Sequence, residues 1–582
     1  MGQRTLKMGI SLFSFLCLSF LLQGRQQFAD EGVSLSYMSS ILQDFDFNII
    51  NQVHDGMNWL VTKSYYHPDF RSEIQTPILL IFTCFEKLII GLMSSLDHQL
   101  RPNVMATFTL NFGLIGATYI LMKDYCRKMD LVFYPKIFFL LTLGSAYFYY
   151  SSLISGVMDI FAIPVFIFSL IQYEDIKKVE KGAFFQSFLL GFSLGIISLT
   201  GLLYWPLALY LLADSCWFFW EKKMRRQMTW LLLSFLMILS CELINQFMKY
   251  GGLISPQLTL RFFFDLSPLH LLEKLLTGYF AKGGVFFVNP LFLLSLLGLV
   301  FFVRSYILTG KMRKSHALVK GLWIILVFCH TLPMMGINAE GELPGRIYLS
   351  TFPFLFMGLS YLAERKPKFI LNNIFLELMI IWNFINVFSF ISIDLYDRHA
   401  YSSMVLPSAE ILVKLLDSYW AQIEHNFLLL VNQEVIGFFL MATLFSLLFS
   451  LAITNFKKVF SSLVVITAGS FTLFTLLNVL NGNVNVVELG EKDFYVGKVI
   501  GDGSELYFYN DFMDIYANLE RGAESEKRLL LEERKKQYFK VIESQIITST
   551  GSFNDQLRIH IKDKEFWKER EKKPTWPEFF NQ

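Results

Sequence analysis

The feature that most constrains this chain is a recurring apolar run. Stretches of 15 to 26 residues with few charges occupy 8–22, 104–122, 137–154, 156–172, 184–199, 201–219, 228–248, 285–303, 319–336, 347–363, 370–393, 428–453 and 459–480. Many approach the ~20 residues that carry a helix across the ~30 Å hydrocarbon layer. Inside hydrocarbon each backbone N–H and C=O must be satisfied within the segment or a closed barrel. Runs of this length therefore predict helices, and the chain reads as an all-α polytopic membrane protein of about 13 spans. A series of water-soluble domains, a disulfide-stapled secreted fold and a disordered chain are all excluded by the same runs.

One further run, 77–96, has Glu86 and Lys87 at its centre. Two adjacent charges at mid-membrane cost roughly 2.5–3.5 kcal/mol each, so this run is expected to lie flat in the outer interface. Loop charges test that choice. With 77–96 not spanning, the connections assigned to the inside carry Lys123, Arg127, Lys128 and Lys136; Lys177, Lys178 and Lys181; and Lys222, Lys223, Arg225 and Arg226. Further along they carry Arg304, Lys311, Arg313 and Lys314; Arg365, Lys366 and Lys368; and Lys457 and Lys458. Every inside loop is then basic, as the positive-inside rule requires. A spanning 77–96 would put all these clusters outside.

Arg4 and Lys7 precede the first run, and Gln23, Gly24, Arg25 and Gln26 follow it without a small-x-small cleavage signal. The first helix is therefore expected to be uncleaved, with a cytoplasmic N-terminus. The external parts become a long first loop (24–103), loops at 249–284, 337–346 and 394–427, and the polar tail 481–582. Strand-like stretches at 493–500 and 505–509 and a helical stretch around 519–544 make the tail a small extramembrane α/β region. The domain division expected is a membrane core at 1–365, additional spans at 366–480 and the external region at 481–582.

A net charge of +2 leaves no field for nucleic acid. Six scattered cysteines without a C-x-x-C pair support neither a metal site nor a disulfide framework. The 61 phenylalanines read as lipid-facing and interhelical packing.

Chemistry is concentrated in the first external loop. It opens with Asp30 and Glu31 and continues through Asp44, Asp46, Asn48, Asn51, His54 and Asp55, then Tyr65, Tyr66, His67, Pro68 and Asp69. As residues alone these acids read first as a solvated loop. Carboxylates at a membrane boundary also serve as a general base or hold a divalent cation.

Their order carries more. Asp30-Glu31 is followed by a short apolar-and-small stretch and then Gln-Asp-Phe-Asp-Phe-Asn-Ile-Ile-Asn-Gln at 43–52. His67-Pro68 and Thr76-Pro77 precede the interfacial run, and Tyr147, Tyr149 and Tyr150 follow Gly144-Ser145. Gly191-x3-Gly195 leads to Leu203-Tyr204-Trp205-Pro206. Lys282-Gly283-Gly284-Val285-Phe286-Phe287-Val288-Asn289-Pro290 and Gly341-Glu342-Leu343-Pro344-Gly345-Arg346-Ile347-Tyr348 come later. Across roughly 8–365 this series resembles the bacterial GT-C type integral membrane glycosyltransferases. Within them it is most similar to the polyprenyl-phosphate-sugar-dependent branch that includes protein mannosyltransferases and aminoarabinose transferases. The sequence departs from that pattern at Gly32-Val33-Ser34, where the class has Pro-His-Tyr. It departs again at Asp159, near where a histidine is usual, and at Thr200-Gly201, where an arginine is usual.

The resemblance implies an inverting transfer at the outer face of a bacterial cytoplasmic membrane. The donor would be a polyprenyl-phosphate sugar and the acceptor a lipid, glycan or protein. By the same resemblance Asp30 is the base, and Glu31 tunes it or joins it on a divalent cation, if one is used. Arg346 contacts the leaving phosphate, for which its planar fork is suited; taken alone, it reads equally as an interfacial side chain snorkelling to water. Lys282 is a second phosphate contact, and His67 and Tyr348 orient the substrate. Two other classes fit parts of the chain: a non-catalytic, transferase-like scaffold carrying the external tail, and a transporter. The transporter fits less well, because the acids lie outside the membrane and no repeat is present.

Overall fold

The structure is a computed structural model. It describes residues 102–143, 147, 157–178, 184–200, 204–250, 290–308, 351–365, 456–481, 486–488 and 495–497, with further helical positions within 10–21, 378–382 and 420–443. Among the described residues the chain forms nine helices and one two-stranded ladder. The helices are α1 (Pro102–Lys128), α2 (Pro135–Leu143), α3 (Val157–Lys178), α4 (Phe184–Thr200), α5 (Trp205–Glu221), α6 (Arg225–Tyr250), α7 (Pro290–Leu308), α8 (Phe352–Arg365) and α9 (Phe456–Asn481). β1 (Val486–Glu488) pairs antiparallel with β2 (Tyr495–Gly497), with Val487 opposite Val496. β2 falls inside the stretch 493–500 that the sequence marks as strand-like, whereas β1 lies outside the stretches so marked.

Among the described residues, two helices have segments long and apolar enough to cross a membrane, Arg225–Asn245 and Phe456–Leu477. At 1.5 Å per residue, segments of 21 and 22 residues reach about 32 Å. Their surfaces agree with that use. On α9, Val459, Ile466, Leu473 and Leu480 form an exposed stripe at seven-residue spacing, while Phe460, Val464, Ala468 and Phe471 are buried. On α6, Leu233, Leu236, Met237, Leu243 and Ile244 are likewise exposed. Apolar stripes of this kind are stable against lipid.

The chain divides into two compact units. One comprises 1–27, 77–240 and 260–472, the other 28–76, 241–259 and 473–582. In the first unit α3 is central, with residues 160–174 buried without a break. Pro164 sits inside it and removes one N–H from the helical ladder. α3 packs on α1, α4, α5 and α8, and α7 packs on α8. Phenylalanine supplies much of this core. Phe138 meets Phe352 and Phe356 edge-on at ring distances of 5.6 and 6.1 Å, and Phe133 stacks on Phe356 at 5.1 Å.

Glycines set two helix crossings. An added Cβ at Gly195 would lie 2.8 Å from Cβ of Ile238, and one at Gly191 would overlap the Leu231 carbonyl oxygen, so α4 lies hard against α6. The α7–α8 crossing is built the same way around Gly298 and Gly358. Without a hydrophobic drive between helices in lipid, close backbone approach at small residues is the main source of attraction.

The contacts also fix relative directions. Gly298 meets Gly358, Phe302 meets Tyr361 at 5.4 Å, and Ser305 accepts from Arg365 at 3.4 Å. This constant offset means α7 and α8 run parallel. α4 and α6 are parallel by the same argument, since Phe184 meets Trp230 at 4.9 Å near their starts and Gly195 meets Ile238 further along.

Candidate functional site

The polar residues that come together most clearly are at the C-terminal end of α3, beyond its apolar run. Lys128, from the last turn of α1, and Lys457, from the first turn of α9, both donate to the Asp175 carboxylate, the second at 2.5 Å. On the opposite side of α3, two residues before and after Asp175, the Tyr173 hydroxyl and Lys177 both donate to Asp214 Oδ2 of α5 at 2.5 Å, and Lys177 also donates to the Tyr173 oxygen. Burial pushes the Asp175 carboxyl up; the hydrogen bonds and charges of Lys128 and Lys457 outweigh it and hold the group below its usual value. Four helices thus meet at one polar rim, with the C-terminal ends of α1 and α3 beside the start of α9.

The turns at this rim follow from local chemistry. α1 stops where Leu131 N–H bonds to the Cys126 carbonyl at 2.9 Å, with Asp130 at φ 54°. This is a Schellman-type end, and aspartate is among the few non-glycine residues that tolerate the left-handed region. α8 ends beside the connection that follows. Burial first, then the Glu364 carboxylate, raise the Tyr134 phenol above its usual value.

A second buried polar pair lies deeper. Thr118 of α1 and Tyr147 share a 3.2 Å hydrogen bond, and the Tyr147 ring packs on Phe352 at 5.1 Å. Tyr147 is the described member of the tyrosine group singled out in the sequence; Tyr149 and Tyr150 lie outside the described residues. In the second unit Asn245 of α6 donates to Thr475 of α9 at 3.0 Å.

Asp30, Glu31, His67, Lys282, Arg346 and Tyr348 all lie outside the described residues. The helices that follow two of their segments are described. α7 begins at Pro290, eight residues after Lys282, and α8 begins at Phe352, six after Arg346. Among the described residues, no group of three or more His, Cys, Asp or Glu side chains is placed to hold a metal ion. Thr200, where the resembled class has an arginine, donates its hydroxyl to the Ile197 carbonyl of its own helix at 2.9 Å.

The ion cluster around Asp175 and Asp214 was not singled out by the sequence reading. A partial signal was present: Asp175, beside Glu174, lies near the end of a helix and just before Lys177, Lys178 and Lys181, whereas Asp214 lies about two turns inside α5. Comparison with protein-family models, curated proteins and solved structures finds no match to this chain.

Proposed function

We propose that this chain is a membrane glycosyltransferase of the GT-C kind. It moves a sugar from a polyprenyl-phosphate donor to a lipid, glycan or protein acceptor at the outer face of a bacterial cytoplasmic membrane. Asp30 takes the proton from the acceptor hydroxyl as that oxygen attacks the anomeric carbon, and the lipid phosphate leaves with inversion. Arg346 and Lys282 meet the charge that develops on the phosphate. Glu31 tunes Asp30, and His67 and Tyr348 orient the substrate.

The observation that carries this reading is the ordered motif series opening at Asp30-Glu31. One structural relation agrees with it: α7 and α8 run parallel, as the spans expected at 285–303 and 347–363 do when the sequence places a single further span between them. A lipid-linked donor suits such a site, its tail in hydrocarbon and its sugar in water.

The experiment is release of polyprenyl phosphate from a polyprenyl-phosphate sugar by the full chain in bilayers, with a bacterial envelope extract as acceptor. Asp30→Asn is expected to lower the rate by about 10²–10⁴-fold; full activity in that variant would remove Asp30 as the base. The scaffold reading draws on Thr200 bonding within its own helix, and it expects no donor consumption by the unaltered chain.

A further inference from the structure

We propose that the turn joining α5 to α6 is a binding site for anionic phospholipid headgroups. Its cations take the phosphates, and two tryptophans sit at the boundary between headgroup and acyl chain.

The backbone of the turn comes first. α5 closes with Lys222 N–H donating to the Phe218 carbonyl at 3.1 Å, Lys223 N–H to Trp220 at 3.1 Å and Met224 N–H to Phe219 at 2.8 Å. This Schellman-type stop puts residue 223 at φ 55°, a conformation that suits glycine. A lysine occupies it. At the matching position after α1 the residue is Asp130, a type that tolerates this region. Lys223 is therefore the exception, and a long side chain kept at a strained position points to use of its charge.

The surroundings supply the rest of a headgroup site. Lys222, Lys223, Arg225 and Arg226 are all exposed, against one carboxylate in the turn, Glu221, which accepts from Trp217 Nε1 at 2.9 Å. Trp217 and Trp220, on one face of α5, are 65% and 62% exposed. Tryptophans so exposed beside the start of a membrane-length helix are in the position of an interfacial belt. Arg226 lies 5.6 Å from the Phe184 ring centroid, and Phe184 packs edge-on against Trp230 at 4.9 Å. That stack holds one guanidinium beside α4, where its planar fork suits a phosphodiester. Anionic lipid surfaces recognise clusters of four or more such cations. Only membrane insertion of α6 is required; sugar transfer is not.

The test uses the full chain in detergent, titrated separately with dioleoylphosphatidylglycerol and dioleoylphosphatidylcholine, with bound lipid counted by native mass spectrometry. Preferential binding of phosphatidylglycerol is expected. Lys223→Gly should lower its affinity about fivefold, yet raise the thermal midpoint in lipid-free detergent because the backbone strain is relieved. Neutralising all four cations (K222Q, K223Q, R225Q, R226Q) should abolish the preference, while K311Q, R313Q and K314Q together leave it intact. Equal loss in both sets would overturn the proposal. So would phosphatidylglycerol binding that is indifferent to Lys223→Gly and to the fourfold variant, leaving an acidic protein partner as the occupant of the turn.

Discussion

Gly298 of α7 and Gly358 of α8 touch backbone to backbone: a Cβ on Gly298 would sit 2.6 Å from the Gly358 carbonyl carbon. A Cβ on Gly358 would in turn lie 2.8 Å from the Leu299 nitrogen. Neither neighbour is a flexible side-chain tip, so the helices themselves must separate. Alanine at either position is expected to cost about 1–3 kcal/mol, measured by thermal unfolding in detergent. Gly469 of α9 is the control, since nothing lies within 4 Å of an added Cβ there; Gly469→Ala should be neutral or up to about 1 kcal/mol stabilising.

The two lysines on Asp175 should differ in worth. Lys128 is 16% exposed and Lys457 48%. Lys128→Met leaves a mostly buried carboxylate short of a donor and is expected to cost about 1–3 kcal/mol. Lys457→Met removes a solvent-screened pair and should cost under about 1 kcal/mol. Equal losses in denaturation midpoint would contradict this ordering.

Asp175 also sets an acid dependence. Its folded carboxyl titrates below the usual value of 3.8, held there by its lysine partners against the effect of burial. Its contribution is therefore fully present above the unfolded value and is lost as pH falls through the lower, folded one. Thermal midpoints should drop on acidification below about pH 4. Asp175→Asn should remove that part of the drop while lowering stability at neutral pH.

Asn245 and Thr475 offer an asymmetric test. The Asn245 amide nitrogen donates to Thr475, whereas its buried Oδ1 has no hydrogen-bond partner among the described residues. Thr475→Val strands the amide and should cost about 0.6–1.7 kcal/mol. Asn245→Leu removes donor and orphaned acceptor together while keeping the branched shape of the side chain, and should cost less. Unfolding of both variants in the same detergent decides.

If the proposed sugar transfer is this chain's reaction, Arg346→Ala should lower the rate of polyprenyl phosphate release by about 10²–10³-fold. Arg346→Lys should recover only part of it, because a point charge replaces a bidentate fork. Lys282→Ala is expected to have the smaller effect. An Arg346→Ala variant with unchanged donor turnover would reduce that arginine to a snorkelling side chain.

Hydropathy made the helices legible and left their ends and partners obscure. The runs 104–122, 184–199, 228–248 and 459–480 each fall within a helix of the structure, and 156–172 and 201–219 overlap α3 and α5 over most of their length. α1 nevertheless continues six residues past its run, to Lys128, because a Schellman-type end rather than polarity stops it. Apolar pattern alone marks where a helix is stable in lipid, not where its last carbonyls find donors. The Asp175 cluster was illegible for a different reason: its partners lie 47 and 282 residues away, a separation no local pattern encodes. The close glycines were half legible. Gly191-x3-Gly195 stands out in the sequence, while Gly298 and Gly358 acquire meaning only from each other. The chemistry expected at Asp30, Glu31 and Arg346 rests on motif order and lies outside the described residues.

The reach of Asp175 toward Lys457 bears on how the molecule is made. At roughly 5–20 residues per second, the 282 residues between them take about 15–60 s to synthesise. Through that interval the carboxylate has Lys128 and water for company, and the face of α3 that receives Phe460 against Phe168, at 5.3 Å, waits uncovered. α9 is thus a late-arriving clasp, and a nascent chain stalled before Phe456 would present quality-control proteases with an open seam.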